Sequence, residues 1–307
     1  MRFSILIPTT GERAQLVEQA LWSVSRQSVQ DYEVLIIGDG VAEASRELIR
    51  RKCADDSRIR FFDHPKHPSR GEEYRHAALQ EATGEGVCYL CDRDLYLPWH
   101  LDRLAGGLAT HDVVASLPIT TLPCDRFLLK FRGTLAARGN RIRIAKTSVR
   151  GIPLSCGSHR MDAYRRLSEG WATTPTGLAT DSYMWAKFFR DDRFRHASLA
   201  MPTVVYLRRG GHPGWSPERR LGEQLRWRRR MESRDFEAGY WREVSEVLAR
   251  SRAEWSSRPL RRAWFEFLSE RRQIAARKHG PRLLRMRLLD FLVSRAGACF
   301  DQSSETG

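Results

Sequence analysis

Short apolar runs alternate with segments of helical periodicity over the first 120 or so residues, and this alternation strongly constrains the fold. The apolar runs have the length of β-strands and lie at residues 3–7, 33–37, 59–62 and 86–91. Between them, apolar residues such as Leu16, Ala20 and Val24 recur at helical spacing. Successive strand–helix–strand units form parallel sheets through right-handed crossovers. The sequence therefore predicts an α/β fold with a mostly parallel sheet flanked by helices.

The predicted secondary-structure pattern changes twice in the rest of the chain. After residue 118 the pattern is mixed, with β-like runs at 127–131 and 142–145, helical stretches at 161–167 and 178–189, and a strand at 203–207. From residue 216 charged helices are predicted at 221–234, 240–250, 260–277 and 281–293, followed by a disordered tail at 301–307. We expect an α/β domain over residues 1–215 and a basic helical C-terminal region over residues 216–307.

Composition excludes several classes of protein. Hydrophobic residues make up 41% of the 307 residues, enough for a sizeable core, which excludes overall disorder. No window approaches about 18 consecutive apolar residues, so no membrane-spanning helix is expected. Six cysteines are too sparse for a disulfide scaffold, and no second Cys pair or close His pair completes a zinc site with Cys88 and Cys91. We expect a soluble, cytoplasmic chain with reduced thiols.

Polar side chains follow three of the predicted strands. They are Thr9, Asp39 and the pair Asp92 and Asp94. Ligands of open α/β sheets bind at the carboxyl ends of strands. In an extended chain, residues 92 and 94 would point the same way, and a cation would offset the repulsion between their carboxylates. Such oxygen ligands suit Mg²⁺ or Mn²⁺; the alternative is a solvated acidic turn.

Five segments, taken in order, resemble family 2 glycosyltransferases of the GT-A fold, and the resemblance covers residues 1–215. The segments are Ser-Ile-Leu-Ile-Pro-Thr-Thr at 4–10, Ala-Leu-Trp-Ser-Val-Ser-Arg-Gln at 20–27, Asp-Tyr-Glu-Val-Leu-Ile-Ile-Gly-Asp-Gly at 31–40, Tyr-Arg-His-Ala-Ala-Leu-Gln-Glu-Ala-Thr-Gly at 74–84, and Cys-Asp-Arg-Asp-Leu-Tyr-Leu-Pro-Trp-His-Leu at 91–101. The resemblance implies a Rossmann-like nucleotide-binding sheet and an inverting sugar transferase that uses a nucleotide-sugar donor.

The resemblance also implies roles for the polar residues at the strand ends. Thr9 and Asp39 would hold the nucleoside, Arg75 would contact the base or the diphosphate, and Asp92 would bind the ribose or a metal. Asp94 would hold Mn²⁺ or Mg²⁺ across the diphosphate. UDP is the first nucleotide expected, although thymine presents the same edge to Asp39 as uracil does.

Two residues further along the chain complete the expected site. Thr180-Asp-Ser-Tyr-Met-Trp185 resembles the start of the helix that carries the catalytic base, so Asp181 would take the proton of an acceptor hydroxyl. The alternative is that Asp181 only caps a helix. The segment 204–212 resembles one that carries a late metal-binding His, so His212 would join Asp94 or bind a donor phosphate. The alternative is a surface-loop His.

Most of the formal charge of +15 lies in the C-terminal region, because residues 208–296 carry 23 Lys/Arg against 11 Asp/Glu. The predicted helices there have apolar faces with Arg between them, which indicates packing against the catalytic domain. Attachment to the inner face of an anionic membrane, where a lipid-linked acceptor would lie, is an alternative. Nucleic acid is not the expected partner. A nucleotidyltransferase, or a non-catalytic basic binding protein, is the alternative function.

Overall fold

A computed structural model of the chain describes residues 1–121, 127–129, 135–147, 152–207 and 214–257. His212, the helices predicted at 260–277 and 281–293 and the tail at 301–307 lie outside these residues. The chain divides into two compact units, residues 1–250 and residues 251–307.

A twisted sheet forms the centre of the first unit. In the described part of the chain it contains nine strands: β1 Phe3–Gly11, β2 Tyr32–Val41, β3 Ile59–His64, β4 Gly86–Tyr89, β5 Leu95–Tyr96, β6 Val113–Thr121, β7 Phe127–Leu129, β8 Gly157–Arg160 and β9 His196–Tyr206. The strand order is β3-β2-β1-β4-β8-β6-β9-β5, with β7 paired to β6. The first four strands in this order run parallel to one another, whereas β8 is antiparallel to both of its neighbours.

Helices flank the sheet. Those described are α1 Ala14–Ser25, α2 Glu43–Asp55, α3 Glu72–Gln80, α4 His100–Leu108, α5 Arg138–Thr147, α6 Met161–Arg165, α7 Thr180–Phe189, α8 Pro217–Met231 and α9 Phe236–Ser257. On α1 the residues Leu16, Ala20 and Val24 are buried at the expected spacing. The predicted α/β fold, with a mostly parallel sheet flanked by helices, is confirmed.

The register of β1 and β2 places two of the predicted polar residues side by side. Ile5 pairs with Val34 in the parallel ladder, and Thr9 pairs with Gly38, the residue before Asp39. Buried Glu33 supports this pairing, because its carboxylate accepts a 2.7 Å hydrogen bond from the Ser4 hydroxyl of β1. The carboxyl ends of β1 and β2 therefore meet at one edge of the sheet.

The β-like run predicted at 142–145 is wrong, because these residues lie within helix α5. Its alternation of Arg and Ile over a few residues imitates the period of a strand. In the structure Ile144 and Ala145 are both buried, and Arg141 donates from Nη1 to the Leu135 carbonyl at 2.8 Å and from Nη2 to Asp192 at 3.1 Å. These tertiary contacts favour the helix over the local propensity for strand.

A second hydrophobic core joins the C-terminal helices to the sheet. It is formed by Leu95, Leu97, Trp99, Ile119, Val205, Leu207, Trp227, Met231, Phe236, Tyr240, Val244 and Val247. Trp99 contacts three aromatics of α9, with its ring centroid 5.3 Å from those of Tyr240 and Trp241 and 6.2 Å from that of Phe236. The Tyr240 hydroxyl donates to the Pro202 carbonyl at 2.8 Å. Helices α8 and α9 thus share a core with β5, β6 and β9.

Helix α8 begins at a defined signal. Ser216 is its N-cap and accepts a hydrogen bond from the Arg219 N–H at 3.4 Å, while Pro217 occupies the first helical position. None of the helices in the described ranges combines the length and apolar character that a membrane crossing requires.

Candidate functional site

A cleft of about 590 Å³ opens at the carboxyl ends of β1 and β2. Its walls come from these strand ends, from the turn after β4, from the segment before α3 and from the start of α7. Five of the seven predicted site residues line it, namely Thr9, Asp39, Arg75, Asp92 and Asp181. The volume falls in the range of small-molecule sites.

Asp39 is held in place on the β2 side of the cleft. Its Oδ1 accepts a 2.6 Å hydrogen bond from the His67 N–H, and its Oδ2 forms an ion pair with Lys66. Gly71 has a φ of 63°, and a Cβ there would lie 3.4 Å from Asp39 side-chain atoms. A larger residue would be strained at this φ. Sequence reasoning missed Lys66. Its ion pair with Asp39 joins the loop after β3 to β2, and the sequence alone does not show that these two segments are in contact.

Asp92 lines the same cleft as Asp39 and is 2% exposed. Its Oδ2 accepts hydrogen bonds from the Thr9 hydroxyl at 3.1 Å and from Arg13 Nη1 at 3.4 Å. Its backbone carbonyl accepts a 3.0 Å bond from Nε2 of Gln224 on α8. Contacts from β1, from the loop after β1 and from α8 therefore fix the position of this carboxylate.

The segment 91–94 is a turn, so the expectation of an extended chain is wrong there. The Asp94 N–H donates to the Cys91 carbonyl at 2.9 Å, and the turn directs Arg93 into the cleft wall. Asp94 is fully buried and does not line the cleft. Its two carboxylate oxygens accept hydrogen bonds from the Leu207 N–H at 3.0 Å and from the Ser155 hydroxyl at 2.5 Å. Burial raises the pKa of Asp94.

The family resemblance implies a divalent metal at Asp94 and His212, and the described side chains fit such an ion poorly. Both oxygens of Asp94 already accept hydrogen bonds within the protein. Within the described ranges, no group of three or more His, Cys, Asp or Glu side chains is placed to hold a metal ion. His212 falls outside those ranges. The metal roles of the two residues stay predictions, and we derive no step through a metal.

Asp181 lies in the first turn of α7 and faces the cleft. The N-cap residue of this helix is Ala179. Oδ1 of Asp181 accepts a 2.8 Å hydrogen bond from the Ser182 N–H of the first turn, so a capping contact exists beside the predicted role as base. Burial raises the pKa of Asp181, and the hydrogen bond from the Ser182 N–H and, after it, the positive charges of Arg70 and Arg93 partly oppose this effect. A carboxylate of raised pKa at a cleft is suited to accepting a proton.

Arginines missed by the sequence reasoning form the rest of the wall. Arg13, Arg70 and Arg93 all line the cleft beside the predicted Arg75. Arg70 donates from Nη1 to the Thr180 hydroxyl at 3.2 Å, which links the segment before α3 to the start of α7. Arg93 could have been found from the sequence, since it stands between the two acidic residues of the motif.

Comparisons with known proteins identify relatives of this arrangement. The family model for glycosyl transferase family 2 matches residues 4–168. A GalNAc(5)-diNAcBac-PP-undecaprenol β-1,3-glucosyltransferase of Campylobacter jejuni is 27% identical over 109 residues, which cover 36% of this chain and 33% of that protein. An uncharacterized glycosyltransferase of Nostoc is 25% identical over 209 residues, 67% of this chain and 59% of that protein. The matched part thus spans between a third and three fifths of these two curated relatives.

Solved structures share the fold. TarS of S. aureus, in complex with UDP-GlcNAc, has a TM-score of 0.54 and 18% identity, covering 90% of this chain and 79% of that one. A mannosyltransferase of Pyrobaculum calidifontis, in complex with GDP-Man and Mn²⁺, has a TM-score of 0.51 and 20% identity, and the match covers 73% of this chain and 61% of that one. The family model covers more than half of the 307 residues, from β1 to the residues after α6. The chain therefore belongs to glycosyltransferase family 2 and has the GT-A fold.

Proposed function

We propose that this chain is an inverting glycosyltransferase that moves a sugar from a nucleotide-diphosphate sugar to an acceptor hydroxyl. The observation that carries the proposal is the gathering of Thr9, Asp39, Arg75, Asp92 and Asp181 around one cleft. These residues come from separate motifs along the chain. An arrangement of this kind offers polar contacts for a nucleoside, cations for a diphosphate and a carboxylate for proton transfer.

In the proposed mechanism Asp181 acts as the general base. The acceptor oxygen attacks the anomeric carbon of the donor sugar from the side opposite the diphosphate. The bond between that carbon and the diphosphate oxygen breaks as the new bond forms, and the acceptor proton passes to the Asp181 carboxylate. The nucleoside diphosphate leaves with the bonding electrons, and a single displacement of this kind inverts the configuration of the sugar.

The donor class is supported by the solved relatives, because TarS and the mannosyltransferase are both described with nucleotide-diphosphate sugars. UDP remains the first candidate, because the Asp39 carboxylate can accept a hydrogen bond from the N–H of uracil. A thymine nucleotide would make the same contact.

The proposed acceptor is a lipid-linked saccharide. The support is the C. jejuni relative, which is named for a substrate carried on undecaprenol diphosphate. The apolar residues of α8 and α9 pack against β5, β6 and β9, so the contribution to membrane attachment proposed for the C-terminal region is its positive charge, which would attract the protein to the anionic membrane that carries such an acceptor.

The test combines nucleotide binding with turnover. UDP, GDP and dTDP are titrated into the protein by calorimetry, and slow hydrolysis of the matching nucleotide sugar is then measured with water as acceptor. Asp181→Asn is expected to abolish hydrolysis while the affinity for the nucleotide stays within a few-fold of the wild type.

The matched control is Asp102→Asn, which changes an exposed aspartate in the first turn of α4 and should leave both measurements unchanged. Unchanged turnover in Asp181→Asn would remove Asp181 from the mechanism. A chain that binds none of the three nucleotides would instead favour the alternative of a non-catalytic binding protein.

A further inference from the structure

Arg93 is a cation of the cleft wall that lacks a carboxylate partner. In the part of the chain that the structure describes it forms no ion pair, and its Nε is buried without a hydrogen-bond partner. The acidic residues on either side in sequence are engaged elsewhere, Asp92 with Thr9 and Arg13, and Asp94 with Ser155 and the Leu207 N–H. The guanidinium is therefore free to bind an anion in the cleft.

Arg93 carries a positive charge at neutral pH, because an arginine guanidinium is effectively always protonated in proteins.

Arg75 is a second cation of the same kind. Only 8% of it is exposed, and within the described residues its Nε and Nη1 have no hydrogen-bond partner. Its guanidinium lies over the Trp171 ring, 5.0 Å from the ring centroid. A buried guanidinium with unused donors is costly unless a ligand completes its hydrogen bonds. Burial lowers the pKa of Arg75, but an arginine remains charged at neutral pH.

The balance of charge in the cleft indicates what these two arginines bind. Lys66 pairs with Asp39, and Arg13 with Asp92. Among the described residues that line the cleft, the cations outnumber the carboxylates by two: Arg13, Lys66, Arg70, Arg75 and Arg93 against Asp39, Asp92 and Asp181. Of these cations, Arg75 and Arg93 are the two with buried donors that have no hydrogen-bond partner. Their two positive charges match the two negative charges of the diphosphate in a nucleotide sugar.

We propose that Arg93 and Arg75 bind the donor diphosphate directly, so that nucleotide binding needs no divalent metal. The inference rests on the proposed function, because it assumes a nucleotide-sugar donor. An arginine can donate two parallel hydrogen bonds to phosphate oxygens and carries a permanent charge. Arg93 would thus occupy the place in the acidic motif where the family resemblance implies a metal. The charge that develops on the leaving diphosphate is then balanced by protein side chains.

The first arm of the test uses the full-length wild-type protein, without and with metal. UDP, GDP and dTDP are titrated by calorimetry in EDTA and again with Mn²⁺ and with Mg²⁺. We expect the preferred nucleotide to bind in EDTA with an affinity within about twofold of that in metal. Binding that is lost in EDTA and restored by Mn²⁺ or Mg²⁺ would overturn this inference and leave the proposed function intact. Failure to bind under any of these conditions would overturn both.

The second arm asks whether Arg93 contacts phosphate. Arg93→Met removes the charge and keeps an unbranched side chain. It should lower the affinity for the nucleoside diphosphate by about 10- to 100-fold, since hydrogen bonds to charged groups are lost. The affinity for the corresponding nucleoside should change little. Arg93→Lys keeps the charge but not the two parallel donors, and its affinity for the nucleoside diphosphate should lie between those of the wild type and Arg93→Met.

The control for the second arm is Arg51→Met, which alters an exposed arginine of α2 and should leave both affinities at the wild-type value. Equal diphosphate affinity in Arg93→Met and in the wild type would contradict the assignment of Arg93. An equal loss of diphosphate and of nucleoside affinity would contradict it too, because that result indicates a structural role.

Discussion

The Asp181 carboxylate has a raised pKa because it is buried, and backbone N–H groups together with Arg70 and Arg93 limit the increase. A general base must be ionised, so turnover at saturating donor should fall as the pH drops through this pKa. Removing the charge of Arg70 takes away one favourable neighbour of the ionised form. In Arg70→Met we therefore expect the acidic limb of the kcat profile to move to higher pH, by up to about one unit.

The measurement is donor hydrolysis as a function of pH in the wild type and Arg70→Met, with the exposed Arg51→Met as control. If the acidic limb of the pH profile is the same in both proteins, the charge of Arg70 does not affect the pKa of Asp181, or Asp181 is not the base.

Asp94 is expected to stabilise the fold, because both of its carboxylate oxygens accept hydrogen bonds from buried groups. Asp94→Ala leaves the Leu207 N–H and the Ser155 hydroxyl without this acceptor, at a cost of about 1–3 kcal/mol each. The variant no longer buries a carboxylate whose pKa is raised, and this offsets part of that cost. We expect a net loss of about 1–4 kcal/mol in the free energy of unfolding, measured in urea.

Asp102→Ala, at an exposed position of α4, should change this free energy by less than about 0.5 kcal/mol. A variant Asp94→Ala of normal stability that has lost metal-dependent nucleotide binding would favour the metal role that the sequence predicts.

The sequence could predict which residues gather at the cleft, and it could not predict the directions of all their side chains. Thr9 and Asp39 lie near the carboxyl ends of β1 and β2, and Asp92 comes shortly after β4. These ends meet because the three strands are parallel neighbours, so the proximity of the residues follows from topology. The orientation of Arg93 and Asp94 depends on a hydrogen bond that closes the turn after β4. Side chains alternate in direction with a period of two only in an extended chain, and residues 91–94 form a turn after β4.

Helix α8 is tied to the cleft through one buried amide. Nε2 of Gln224 donates to the Asp92 carbonyl at 3.0 Å and to the Leu16 carbonyl at 3.3 Å. Gln224→Leu removes both bonds and leaves two carbonyls short of a donor. We expect a loss of about 1–3 kcal/mol in the free energy of unfolding. The affinity for the nucleoside diphosphate should also fall, because the turn that carries Asp92 and Arg93 loses a support.

The control for this prediction is Gln80→Leu at an exposed position near the end of α3. Wild-type stability and affinity in Gln224→Leu would show that α8 does not support the site.

At the scale of elements, long periodic segments were predicted well and short ones were not. Helix α1 buries the residues that its period selects, and β1 and β2 are buried on both faces, as their continuous apolar runs predict. Strand β5 has two residues, too few for any period, and exists because Leu95 and Tyr96 pair with β9. Helix α5 was mistaken for a strand because its contact with Asp192, 51 residues from Arg141, cannot be read from the local pattern.

The whole first unit contains two hydrophobic cores that share the sheet. The larger core lies between the sheet and its flanking helices, and the second joins β5, β6 and β9 to α8 and α9. The predicted division at residue 215 falls within this unit, which extends to residue 250. Because strands contribute to both cores, we propose that residues 1–250 unfold as one cooperative unit rather than as a domain with a helical appendage.

Trp99 is the residue that tests this cooperativity, because it lies at the centre of the second core against Phe236 and Tyr240. Trp99→Ala should lower the free energy of unfolding by about 3–5 kcal/mol, as large aromatic truncations in cores do. The helical circular dichroism and the tryptophan fluorescence of the variant should still change together at one lower urea midpoint. Two separate transitions, the first with loss of helix only, would indicate that α8 and α9 unfold independently and would favour the division at residue 215.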